Sequence, residues 1–143
     1  MPQFEIDLGD MRATFQALDS FTQGYIEAAF FTSTGPDNVE EGLGEASFDD
    51  IAPEALTAII ADCKLFQDTN AALLNVVYGT RGKYERADYD ANRAGNDYWY
   101  TRNGHGTGFW DRGLGEAGDK LAAACRHHNV DMYRGDDGLI YFT

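Results

Sequence analysis

Basic residues are scarce in this chain: eleven lysines and arginines stand against 24 aspartates and glutamates in 143 residues, a formal net charge of −13. Nucleic-acid affinity comes largely from Lys and Arg displacing phosphate counterions, so direct DNA or RNA binding is disfavoured. Only two cysteines, Cys63 and Cys125, occur, far apart and without an export signal, and they read as reduced, buried thiols. No apolar run approaches the roughly 20 residues of a membrane span, and MPQFEIDLGD has no basic segment leading into an apolar one. The expectation is a cytoplasmic protein.

Catalytic signatures are missing too. Gly-x-Ser-x-Gly, His-Glu-x-x-His, GxxxxGK[ST] and CxxC do not occur, and the glycines 104, 106 and 108 lack the following helix of a dinucleotide loop. Asp88, Asp90 and Asn92 imitate the start of a calcium loop, but Arg93 stands where the turn glycine belongs and Trp99 where the closing glutamate belongs. Cys125-x-His127 is the one short metal-ligand spacing, and it lacks a second pair. No cofactor or metal is expected, and the chain reads as a non-enzyme.

What is present is acid and aromatic. The first fifty residues hold eleven acids and one base, Arg12, and so carry −10 of the net charge. Six of these acids, Asp37, Glu40, Glu41, Glu45, Asp49 and Asp50, fall in one long loop over 32–50 that is rich in Gly and Ser and has no apolar period. Such a field steers a protein towards basic surfaces.

Hydrophobic residues at 43% and aromatics at 13% support a packed core, and the length suits a single domain over 1–143. Residues 1–19 form an arm, with alternation at Phe4, Ile6 and Leu8 and a turn or two of helix in MRATFQAL. Ser20 and Gln23 make a capping box for a helix over 21–32. Pro53 opens a long helix over 53–78, whose apolar residues from Leu56 to Val77 recur at helical spacing. Residues 79–94 are a polar connector, and LGEAGDKLAAACR is a short helix.

The stretch YWYTRNGHGTGFWDR, 98–112, is the most distinctive. Asn103-Gly104 predicts a type I′ hairpin pairing Arg102 with His105, Tyr100 with Thr107 and Tyr98 with Phe109. A second hairpin is predicted around Asp136-Asp137-Gly138. The resulting fold class is α+β: a single antiparallel layer of two hairpins (β-β-α-β-β) packed with the long helix and the shorter N-terminal one. The first hairpin's tip, Arg102, Asn103 and His105, and the aromatic Trp110 are candidate partner-binding residues, since Trp, Tyr and Arg dominate interface hot spots. Arg134-Gly135-Asp136 reads as chance within a turn.

The segment AGNDYWYTRNGHGTGFWDRGLGEAGDKL, with DIAPEALTAIIADCKLF before it and VDMYRGDDGLIYF after it, resembles a group of small acidic proteins of tailed phages and prophages. The resemblance covers roughly 20–142, with RNGHGTGFWDR its distinctive part. It implies a genomic setting and no reaction. Small acidic phage proteins often act by binding host proteins, including restriction and CRISPR machinery, and some imitate the charge of DNA. The leading expectation is therefore an acidic binding protein of phage origin, a counter-defence inhibitor that engages a host or phage protein with a basic surface. A small enzyme or ligand-binding domain centred on Arg102, His105 and Asp111 is the rival, and a homo-oligomeric phage structural or assembly component is the third reading.

Overall fold

The computed structural model describes residues 6–34, 42–80, 88–125 and 129–143. Among them are six helices, α1 (Arg12–Gln16), α2 (Ser20–Ser33), α3 (Pro53–Thr69), α4 (Ala71–Val77), α5 (Ala91–Arg102) and α6 (Gly115–Ala124), and two strands, β1 (Met132–Arg134) and β2 (Ile140–Phe142). Short 3-10 turns lie at Phe48–Asp50 and Phe109–Asp111.

The predicted β-β-α-β-β layer is absent: among the described residues the only sheet is the C-terminal hairpin. Residues 98–102, read as a strand, are the last turns of α5, because their burial follows a helical period. Ala94, Tyr98 and Arg102 bury one stripe, with Gly95 and Trp99 beside it. Asp90 starts this helix by accepting the Arg93 amide at 2.9 Å.

The Asn103-Gly104 pair ends α5 and does not turn a hairpin. Gly104 takes φ +66°, the His105 amide donates to the Tyr100 carbonyl at 3.1 Å, and the Gly104 amide to Thr101 at 3.4 Å. That is the double bond pattern of a Schellman cap. A positive φ at Gly is needed by both motifs, and the helical stripe before it decides between them.

Two smaller expectations also shift. The long helix over 53–78 is two helices, because Asn70 leaves helical geometry (φ −113°, ψ 22°) and its side-chain amide donates to the Phe66 carbonyl at 3.0 Å. The N-cap of α2 is Asp19 rather than Ser20, accepting the Thr22 amide at 2.8 Å, while Gln23 reaches back to the carbonyls of Phe15 and Leu18 and so ties α1 to α2.

Asp19 also accepts from the Gln67 side chain at 3.2 Å. Burial pushes its carboxyl up, but the Thr22 donors, Gln67 and Lys64 outweigh burial and leave it below the ordinary value of 3.8. A depressed folded pKa means stability that is present above the unfolded pKa and lost as pH falls through the folded one. Asp19→Ala should lower unfolding free energy by about 1 kcal/mol at neutral pH. In chemical denaturation the gap to wild type should close below pH 4; a gap that persists there would reject the capping role.

The molecule is built around the crossing of α2 and α5. Gly24 and Gly95 meet there: a Cβ on Gly24 would run into the Asn92 carbonyl oxygen, and one on Gly95 into that of Phe21. Backbone contact this close lets Tyr25, Tyr98 and Trp99 interleave, with ring centroids 5.2 Å (Tyr25–Tyr98) and 5.4 Å (Tyr25–Trp99) apart. From α3, Phe66 stacks on Tyr98 at 4.1 Å and lies 5.9 Å from both Phe21 and Phe109. Cys63 and Cys125 are buried free thiols, the second pushed up to about 12 by desolvation.

The hairpin pairs Met132 with Phe142, Tyr133 with Tyr141 and Arg134 with Ile140. Ile140 is fully buried and joins the hairpin to the 3-10 turn and α3, since its carbonyl accepts the Ala52 amide at 2.9 Å.

Candidate functional site

Two regions gather the residues singled out from sequence. The first is acidic. Asp7 lies in the arm, its carbonyl accepting the Phe48 amide at 2.7 Å, and Asp10 follows a tight turn at Gly9 (φ +54°). The Asp10 amide donates to Asp49 at 3.3 Å. Exposed Asp7, Asp10 and Asp49 therefore come together from two stretches of chain, and exposed Glu45 lies four residues before Asp49, beside Asp50 and Arg134.

Within that face, two of the predicted residues also hold structure. Asp49 accepts from the Ser47 hydroxyl, and this bond together with the Asp10 amide holds its carboxyl below the ordinary range. Asp50 accepts the Ser47 amide at 3.0 Å and faces Arg134 at 3.6 Å. Arg134, first residue of the Arg-Gly-Asp triplet, is occupied: it donates to the Gly42 and Gly138 carbonyls, each at 2.6 Å. Asp37, Glu40 and Glu41 lie outside the described residues, as do His127 and His128.

The second region is the C-terminal end of α5. His105 and Asn103 border a half-open cleft of about 460 Å³ with Thr32 and Ser33 of α2, Leu43, Trp99, and the chain from Asn129 to Met132. Its frame is tightly bonded. The Trp99 indole donates to the Thr32 hydroxyl at 2.9 Å, the Asn103 amide group to the Trp99 carbonyl at 3.0 Å, and the Val130 amide to Asn103 Oδ1 at 2.8 Å. The His105 ring lies nearly parallel to Trp99, 6.3 Å away, and burial lowers its pKa below 6.5.

Arg102 turns the other way. It is 3% exposed, pairs with Asp62, and donates to the hydroxyls of Tyr25 and Tyr98 at 3.1 Å each. Asp111 accepts from the Thr107 hydroxyl at 3.0 Å and the Gly108 amide at 3.0 Å, closing its own turn. The rival centre of Arg102, His105 and Asp111 is therefore not assembled: its guanidinium and its carboxylate each have other partners and face other surroundings. Trp110 is 52% exposed on the Phe109–Asp111 turn.

No family model, no curated protein and no solved structure matches this chain. Function is therefore argued from geometry. Among the described residues no three His, Cys, Asp or Glu side chains gather as metal ligands, and no helix is long and apolar enough to cross a membrane.

Sequence reasoning missed the buried polar pairs. Asp97, 1% exposed, accepts from the Tyr89 hydroxyl at 2.6 Å and from Arg112 at 3.0 Å. Burial raises its pKa, while Arg112 and Tyr89 oppose the rise. The signal was present in the spacing: with 94, 98 and 102 on one helical stripe, Asp97 and Arg102 on the same short helix had to be buried or half-buried, and buried charge demands a partner.

Proposed function

We propose that the protein is a non-enzymatic binding module that engages a basic surface on another protein through its acidic face. The observation that carries this reading is the convergence of the arm and the 42–50 segment, which brings Asp7 and Asp10 to Asp49, with exposed Glu45 on the same short segment as Asp49. Like charges held side by side are paid for by folding and used in association: they steer an oppositely charged partner and set its register. Exposed Trp110 supplies an apolar anchor of the kind that dominates interface energetics. The resemblance to small acidic phage proteins supports a host or phage protein as the partner and counter-defence inhibition, of the anti-CRISPR or anti-restriction type, as the role.

The structure changes the design of the test. Asp49 and Asp50 brace the turn, so neutralising them would confuse binding with folding. The informative variant is Asp10→Asn, Asp37→Asn, Glu40→Gln, Glu41→Gln, Glu45→Gln. Affinity capture from bacterial lysate should retain a basic protein on the wild type. Association of that purified partner with the variant should be slowed about tenfold at low salt, with the difference shrinking as salt rises. An association rate and salt dependence equal to wild type would overturn the acidic-face reading. A self-assembling component would instead appear as a stable oligomer in light scattering.

A further inference from the structure

The cleft at the ends of α2 and α5 is framed by two helix C-termini. Contacts run from Ser20 to Asn92, from Gly24 to Asn96 and from Thr32 to Trp99, so the two helices point the same way and finish side by side. Both ends border the cleft, α2 through Thr32 and Ser33, α5 through Asn103. Each helix C-terminus carries roughly half a negative charge in its last carbonyls. Asp131, with an exposed side chain, adds a full carboxylate to the same rim, and its backbone is fixed by paired bonds to Thr143 at 2.8 and 3.0 Å.

Nothing basic among the described lining residues offsets this field. Neither lysine nor arginine occurs there, and desolvation favours the neutral form of His105. Leu43, Val130 and Met132 supply hydrocarbon walls, and the volume falls in the range of about 300–1,000 Å³ common for ligand sites. The chemistry that fits is a cation on an aliphatic stem. A planar guanidinium fits better than an ammonium, because it offers several donors in one plane to carbonyls and a carboxylate and can lie flat on an imidazole.

We propose that this cleft receives an arginine side chain of the basic partner. The inference rests on the proposed function for the partner, yet the cleft is testable without it. The 15N-labelled full chain is titrated with N-acetyl-arginine methylamide and, separately, with the citrulline analogue, which has the same shape and no charge. Expected are saturable shifts of the Ser33, Asn103, His105 and Asp131 amides and the Trp99 indole with the arginine probe alone. Asp131→Asn should weaken the probe about fivefold, and Ser33→Lys, which brings a tethered cation to the cleft, should abolish its binding while the rest of the spectrum stays dispersed. Equal shifts with citrulline, shifts confined to Glu45 and Asp49, no saturable shift, or unchanged affinity in Asp131→Asn would each overturn the proposal. If the probe ignores the cleft while the five-acid variant still loses its partner, the cleft inference alone falls. If the probe seats there but the five-acid variant associates like wild type, the acidic-face reading falls and the cleft stands.

Discussion

Gly95→Ala should lower the unfolding free energy by about 3 kcal/mol, read as a shift in the denaturation midpoint at unchanged m-value. Intrinsic propensity pushes the other way, since alanine is favoured over glycine inside a helix by roughly 0.8–1 kcal/mol. The sign of the change therefore discriminates. At Gly95 the added methyl would overlap the Phe21 carbonyl oxygen and sit 2.8 Å from the Tyr25 amide nitrogen. Both obstacles are backbone of α2, so no side chain can swing away and the helices must separate. Separation would loosen the contacts of Tyr25, Tyr98 and Trp99 together, which is why the penalty exceeds one methyl's worth of strain. Gly24→Ala meets the Asn92 carbonyl and should behave alike. The double variant should cost less than the sum, because a crossing already pushed apart has room for the second methyl. A neutral or stabilised Gly95→Ala would show that the two helices are not in this contact.

That crossing marks where the fold could be read in the chain and where it could not. Helix α2, α3 and the C-terminal hairpin are each announced by local signals: a polar cap before apolar spacing, Pro53 at a helix start, a turn at Asp137-Gly138. Residues 91–102 carry competing signals. Tyr98, Trp99, Tyr100 and Thr101 favour strands by propensity, and Asn103-Gly104 favours a hairpin. Local preference lost because Gly95 permits an approach to α2 that buries Tyr98 and Trp99 as a helical stripe, and the partner glycine sits 71 positions earlier at Gly24. A contact between glycines at such separation leaves no periodic trace. The site follows the same division. The charge of 1–50 is legible from composition, whereas the meeting of the arm with the 42–50 segment depends on the Phe48–Asp7 and Asp10–Asp49 bonds. Asn103 and His105, read from sequence as a hairpin tip, border a cleft that the sequence does not announce, because its other walls come from residues 32, 33, 43, 99 and 129–132.

Removing the carboxylate beside Arg102 should cost more than removing Arg102 itself. The guanidinium is buried and stays charged: desolvation opposes its charge, but Tyr25, Tyr98 and Asp62 outweigh that and raise its pKa. Asp62 has a side chain 34% exposed and accepts the Tyr98 hydroxyl at 2.9 Å. In Asp62→Asn the cation is left in the core without a counter-charge and cannot shed its proton, so the loss should be about 3 kcal/mol. In Arg102→Met the surviving carboxylate can take water at its exposed edge and the methionine fills part of the space, so the loss should be about 2 kcal/mol. Arg102→Met with Asp62→Asn should be less destabilised than the two single losses summed, by at least about 1 kcal/mol, since the double variant strands no charge. Strict additivity in that cycle would mean the pair is not coupled. The same variants decide what Arg102 is for. As a partner-binding residue it would lose binding in a protein that melts like wild type. Held in the core by Asp62, Tyr25 and Tyr98, Arg102→Met should instead melt earlier and bind normally wherever it remains folded.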